Sequence, residues 1–166
     1  MKRFLLNFVM VASVVFAGVC VTSCSNDDVE EPGSSSELVA QLQGTWRFQQ
    51  GKETINGSVE GIPINESVSF SRSELESMKS NMESMLGTKV EFWDETLVFE
   101  GTMVNGVSYR TSGMKLMGEG LSGGMDGVTF SVTVKSVTST TLVLTEEFNM
   151  GGLRIMAEMH YAKEGK

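Results

Sequence analysis

Val128-Thr129-Phe130-Ser131-Val132-Thr133-Val134-Lys135 alternates an apolar with a polar side chain along its whole length. An extended strand sends alternate residues to opposite faces, so this stretch has one dry face and one wet face. That is the pattern of an antiparallel sheet packed on one side. Leu153, Ile155, Ala157, Met159 and Tyr161 form a second series with the same period. Further out, Leu142 with Leu144, Leu97 with Phe99, Val90 with Phe92, Val68 with Phe70, Ile62 with Ile64 and Trp46 with Phe48 give shorter pieces. About eight strands with short links and no alternating helices predict an antiparallel up-and-down barrel or a sandwich, not an α/β fold.

Turn chemistry joins the pieces, because Asn-Gly tolerates the positive φ angles of tight hairpins. Asn105-Gly106 predicts a turn between Met103-Val104 and Val107-Tyr109. Asn56-Gly57 predicts another between Thr54-Ile55 and Ser58-Val59, and Asn149-Met150-Gly151-Gly152 separates the last two strands. Residues 118–127 are glycine-rich but lack the Gly-Lys-Ser/Thr ending of a phosphate loop, so they read as a hairpin loop that can flank the mouth of a cavity.

Two segments are helical. Glu37 to Gln43 sets Leu38 and Leu42 four apart and ends at Gly44, a short lead-in helix. Between Ser71 and Gly87 the residues Leu75, Met78, Met82, Met85 and Leu86 recur at helical spacing. This predicts an amphipathic helix near 72–86, capped by Ser71 or Ser73, with Glu74 and Glu76 at its positive end and Gly87 as its stop.

Upstream of the barrel, Lys2 and Arg3 precede an apolar run from Phe4 to Val19, and Val21-Thr22-Ser23-Cys24 follows. A basic end, an apolar stretch and small residues are the parts of an export leader. The last four residues resemble a bacterial lipobox, which implies lipidation of Cys24 and cleavage before it. Ser25 to Ser36 is polar and acidic, a flexible tether with almost nothing to bury. Its Asp27, Asp28, Glu30 and Glu31 resemble the surface-export signal of Bacteroidota lipoproteins, which implies an outward-facing outer-membrane protein. The expected organisation is a signal peptide over 1–23, a tether over 24–36 and one domain over 37–166, whose ~130 residues suffice for a single core.

The full chain carries 13 basic and 21 acidic residues, a net charge of −8. An acidic surface repels phosphates, which argues against nucleic acid as a partner. Cys20 and Cys24 are the only cysteines; one leaves with the leader and the other takes the lipid, so the mature domain offers no disulfide and no thiolate metal site. Met114 and Met117 have the spacing of a thioether site, but a strand points them apart, and no metal or other cofactor is expected. His160 falls on the polar face with Arg154 and Glu158, without a triad around it. Adjacent carboxylates such as Asp94-Glu95 and Glu146-Glu147 point to opposite faces and cannot converge on one atom. Glu66 and Glu146 stand out because alternation puts each on an apolar face. Either could orient a polar group of a ligand in an apolar cavity, or turn to water at a bulge or strand end.

Leu42-Gln43-Gly44-Thr45-Trp46, a short helix running into Gly-x-Trp on the first strand, resembles the opening of the lipocalin-like barrels found among small Bacteroidota lipoproteins. The resemblance implies an eight-stranded lipocalin-like (calycin) barrel with Trp46 near its closed end and an arginine of the last strand, Arg154, across its face. It also implies a small apolar or amphipathic ligand inside the barrel and no catalysis. An eight-stranded barrel interior holds either one small ligand or only its own side chains. The other reading is therefore a packed interaction module that engages an envelope component not identifiable from sequence.

Overall fold

The computed structural model describes residues 36–90, 95–125 and 128–165. The leader, Cys24 and the tether lie outside these residues, as do Phe92 and Asp94. Helix α1 (Ser36–Leu42) leads into β1 (Gly44–Val59) and β2 (Ile62–Ser71), and helix α2 (Arg72–Leu86) follows. Then come β3 (Thr96–Glu100), β4 (Met103–Val104), β5 (Val107–Ser112), β6 (Lys115–Gly118), β7 (Ser122–Met125), β8 (Val128–Val137), β9 (Thr141–Met150) and β10 (Leu153–Lys163). No helix among the described residues is long and apolar enough to cross a membrane.

The strands pair in the order β1-β3-β4-β5-β6-β8-β9-β10, and β10 pairs back onto β1, closing an antiparallel barrel of eight strands. The predicted barrel, with its short first helix and later amphipathic helix, is the observed fold. Two further strands flank the ring. The second half of β1 pairs with β2, and the first half of β8 pairs with β7.

The register makes β2 and β3 two halves of one strand. Ser71 lies opposite Gln50 and Thr96 lies opposite Arg47, both in antiparallel pairing with β1. Between them the amide of Phe48 donates to the carbonyl of Glu95 at 3.1 Å. Helix α2 and its return segment are thus a detour in a single stave of the barrel. Ser71 caps the helix in a capping box with Glu74, and Gly87 ends it at φ 67°, as its sequence predicts. Its buried face is shorter than predicted: Leu75 is buried and Met82 packs on the core, but Met85 is 85% exposed and Leu86 is exposed too. From the described part of the return segment, Val90 N donates to Glu83 and Glu95 pairs with Lys79 at 2.8 Å.

Helix α1 closes one end of the barrel. Leu38 and Leu42 are buried against the core, and the indole Nε1 of Trp46 donates to the carbonyl of Leu42 at 2.6 Å. The Gln43 amide bridges to the β3–β4 turn, donating to Gly101 O at 3.0 Å and accepting from Gly101 N at 2.6 Å.

The turns correct two expectations, one being that residues 118–127, read as a hairpin loop, contain strand β7 paired with β8. Asn105 (φ 47°) and Gly106 (φ 80°) make the predicted hairpin, and Gly151 (φ 56°) with Gly152 (φ 81°) joins β9 to β10. Asn56-Gly57, however, lies inside β1, and the β1–β2 hairpin turns at Glu60 (φ 51°) and Gly61 (φ 79°). Gly57 is needed for another reason: a Cβ there would stand 2.2 Å from the carbonyl oxygen of Gly152 on the neighbouring hairpin. Close approach of two backbones demands glycine as strictly as a turn does.

Candidate functional site: the open half of the barrel interior

The barrel interior divides into two halves of different character. In the closed half, β3 to β6 bridge from β1 to β8, and inward side chains such as Trp46, Leu97, Phe99, Leu116, Leu142 and Tyr161 are fully buried. The cavity left among Leu97, Phe99, Val104, Leu116, Leu121, Val132, Leu144, Glu146 and Tyr161 is about 10 Å³, room for one water. In the other half, β2 and β7 each pair on one side only among the described residues. Among the described residues no strand joins β2 to β7, and several inner-face side chains there are only partly buried.

Register places the residues of that face. Directly opposed residues in antiparallel strands share a side of the sheet. Ile55 lies opposite Ile155, Ile155 opposite Phe148, and Phe148 opposite Phe130. Ile55 and Ile155 are buried, whereas Phe148, Phe130, Leu153, Val68 and Ile64 keep part of their surface open. The Phe130 and Phe148 rings stack 6.2 Å apart, and Phe130 lies over Gly123 of β7, where a Cβ would come within 3.1 Å of the ring. The floor is aromatic too. Phe70 stacks on Phe48 at 5.6 Å and covers Gly51 so closely that a Cβ at 51 would stand 2.3 Å from its ring.

Next to this floor stands Glu53. It faces inward between Val68 of β2 and Ala157 of β10, is only 7% exposed, and its buried Oε1 has no hydrogen-bond partner among the described residues. Burial without compensation favours the neutral acid and pushes its pKa from an ordinary 4.5 up to about 7. Strict alternation from Trp46 and Phe48 would turn Glu53 outward. A bulge between Phe48 and Gln50 shifts the register by one, so Gly51, Glu53 and Ile55 turn inward. The signal was legible: Gln49-Gln50 puts two polar residues in succession where alternation allows one.

Glu146 faces the interior as alternation predicts, two strands from Glu53 and in register with it through Ala157, and it borders the closed-half cavity. Glu66 shares the inner face with Ile55 but is exposed, so it sits at the open side in contact with water. The inward positions of the open half thus combine apolar side chains with Glu53, Glu66 and Glu146. Its inward residues on β1, β2, β8, β9 and β10 include no lysine, arginine or histidine.

Trp46 and Arg154 do not meet. Trp46 is buried at the closed end, and the cation over its ring is Lys163, with Nζ 4.8 Å from the centroid. Arg154 lies at the opposite end of β10, beside Asn56 and Asn149, on the outer face. There its guanidinium grips Glu147 with two hydrogen bonds of 3.0 and 2.9 Å. That contact holds the Glu147 carboxyl below the usual range, with help from Asn149. The two residues occupy one strand ladder at separate ends, so the arginine implied by the resemblance is replaced by a lysine nearer the C-terminus. Lys135 likewise lowers Glu158, which also meets His160 at 3.0 Å on the same outer face. Glu146 and Glu147 point to opposite sides, as strand geometry requires. No group of three or more metal-binding side chains occurs among the described residues. The sequence matches no protein-family model and no curated protein.

Proposed function

We propose that this chain is a lipid-anchored cell-envelope protein whose barrel holds a small apolar or amphipathic molecule in its open half, without catalysis. The observation that carries the reading is the contrast within one interior. Inward apolar side chains are fully buried in the closed half, whereas Phe130, Phe148, Val68 and Ile64 face inward yet stay partly uncovered. Concave apolar surface with a few inward polar groups is the usual make-up of a small-molecule site. The anchor rests on the leader and Cys24, and outer-membrane placement with surface exposure rests on Asp27, Asp28, Glu30 and Glu31.

Native mass spectrometry of the full chain extracted from its own host tests the ligand reading. A stoichiometric small-molecule adduct, lost in Phe148→Asp, is the expected result. A bare chain in every preparation would favour the second reading, a packed module that engages an envelope partner through its outer surface. The water-sized cavity of the closed half is the observation on that side. Cys24→Ala tests the anchor: the variant should lose its lipid label and leave the membrane fraction, whereas membrane retention with the leader kept would point to an uncleaved anchor. Unchanged lipid labelling would refute it.

A further inference from the structure

We infer that the open half selects a ligand with a cationic or hydrogen-bond-donating head, an amphipathic amine, seated with that head on Glu53 and its tail along Ile55, Ile155 and the Phe130–Phe148 pair. This rests on the proposed binding function and names its ligand class.

A hydrogen-bond acceptor taken out of water without a partner is costly, and a carboxylate more so. Glu53 is more than nine-tenths buried, and its Oε1 has no hydrogen-bond partner among the described residues, where the aromatic floor meets the partly open inner face. A donor arriving from the interior offsets that cost; an apolar head does not. The surroundings set the sign of the charge. Glu146 is aligned with Glu53 across Ala157, and Glu66 lies diagonally opposite on β2, where Val68 faces Glu53. The cations Lys135 of β8 and Arg154 of β10 are on the outer face with Glu158 and Glu147. Like charges brought together in a low dielectric repel, so a carboxylate-headed ligand such as a fatty acid is disfavoured where an ammonium is attracted. The tail needs no specificity beyond apolar contact, which Ile55, Ile155 and the stacked rings provide.

The test compares three probes that share one tail: octylamine, octanol and octanoate. Each is titrated calorimetrically at pH 8 into the full chain in phosphatidylcholine nanodiscs, with empty nanodiscs as the blank. Octylamine should bind at least tenfold tighter than octanoate, with octanol between them. Glu53→Gln should lower octylamine affinity at least tenfold and change octanol affinity less than threefold. Equal affinities, or octanoate the tightest, would overturn the inference while leaving the cavity reading in place. Binding of none of the three would overturn both. If Glu53→Gln does not fold, the wild-type ratio of octylamine to octanoate decides alone.

Discussion

Replacing Glu53 by glutamine should stabilise the ligand-free protein, and only over a defined pH range. In the native state burial raises this carboxyl from 4.5 to about 7. The native protein therefore holds a proton that the unfolded chain has already released, and stability falls as pH rises between those values. At ~1.36 kcal/mol per pH unit, the rise from 4.5 to about 7 corresponds to ~3 kcal/mol, the full penalty being present above pH 7. Below pH 4.5 both states are protonated and the penalty vanishes. Glutamine cannot ionise, so its advantage over wild type should grow from near zero at pH 4 to as much as ~3 kcal/mol at pH 8.5, with most of the rise between pH 5 and 7. The assay is urea denaturation of both proteins at four pH values, because all other titrating groups cancel in the difference. A difference that stays flat with pH, or that grows on acidification, would refute the claim that Glu53 is buried without a compensating partner.

Four other substitutions probe the frame around this residue. Gly51→Ala would drive a methyl into the Phe70 ring and should cost ~1–3 kcal/mol in thermal or chemical denaturation. Wild-type stability would mean that Phe70 does not cover Gly51. Leu42→Ala removes a fully buried side chain from the closing helix and should cost ~2–5 kcal/mol, with a near-ultraviolet circular dichroism change from Trp46. An unchanged spectrum would place the helix elsewhere. Lys163→Ala should remove ~0.5–1 kcal/mol of cation–π attraction and shift Trp46 fluorescence. Arg154→Ala should leave that fluorescence untouched and barely alter stability, as an exposed ion pair does; the reverse pattern would restore Arg154 to the tryptophan.

Most of the barrel is legible in its alternation, because a strand with one dry face must show period two whatever its neighbours are. The series from Val128 and from Leu153 are observed strands with the expected inner faces, and Ser71, Glu74 and Gly87 bound the helix they predict. Legibility fails where one residue serves two physical demands. Asn56-Gly57 has the composition of a hairpin turn, but its glycine answers to a neighbouring carbonyl, a contact invisible without the third dimension. Glu53 was hidden by a one-residue bulge that reverses the parity of everything after it on β1. Arg154 and Lys163 are both cations on the last strand, and only its register against β1 decides which one reaches Trp46. Glu146 could be found because β8, β9 and β10 keep strict register around it as far as Leu144.

A stave made of two end-to-end pieces has a consequence for how this domain can vary. Pairing on both sides of the junction is fixed by β1, through Ser71 with Gln50 and Thr96 with Arg47, and the path taken between them enters neither register. Doubling the length of such a loop adds only ~0.6 kcal/mol to its closure. A guest segment spliced in after Gly87 would therefore lengthen the path between the two halves of the stave while β1 still fixes the pairs on either side of the junction.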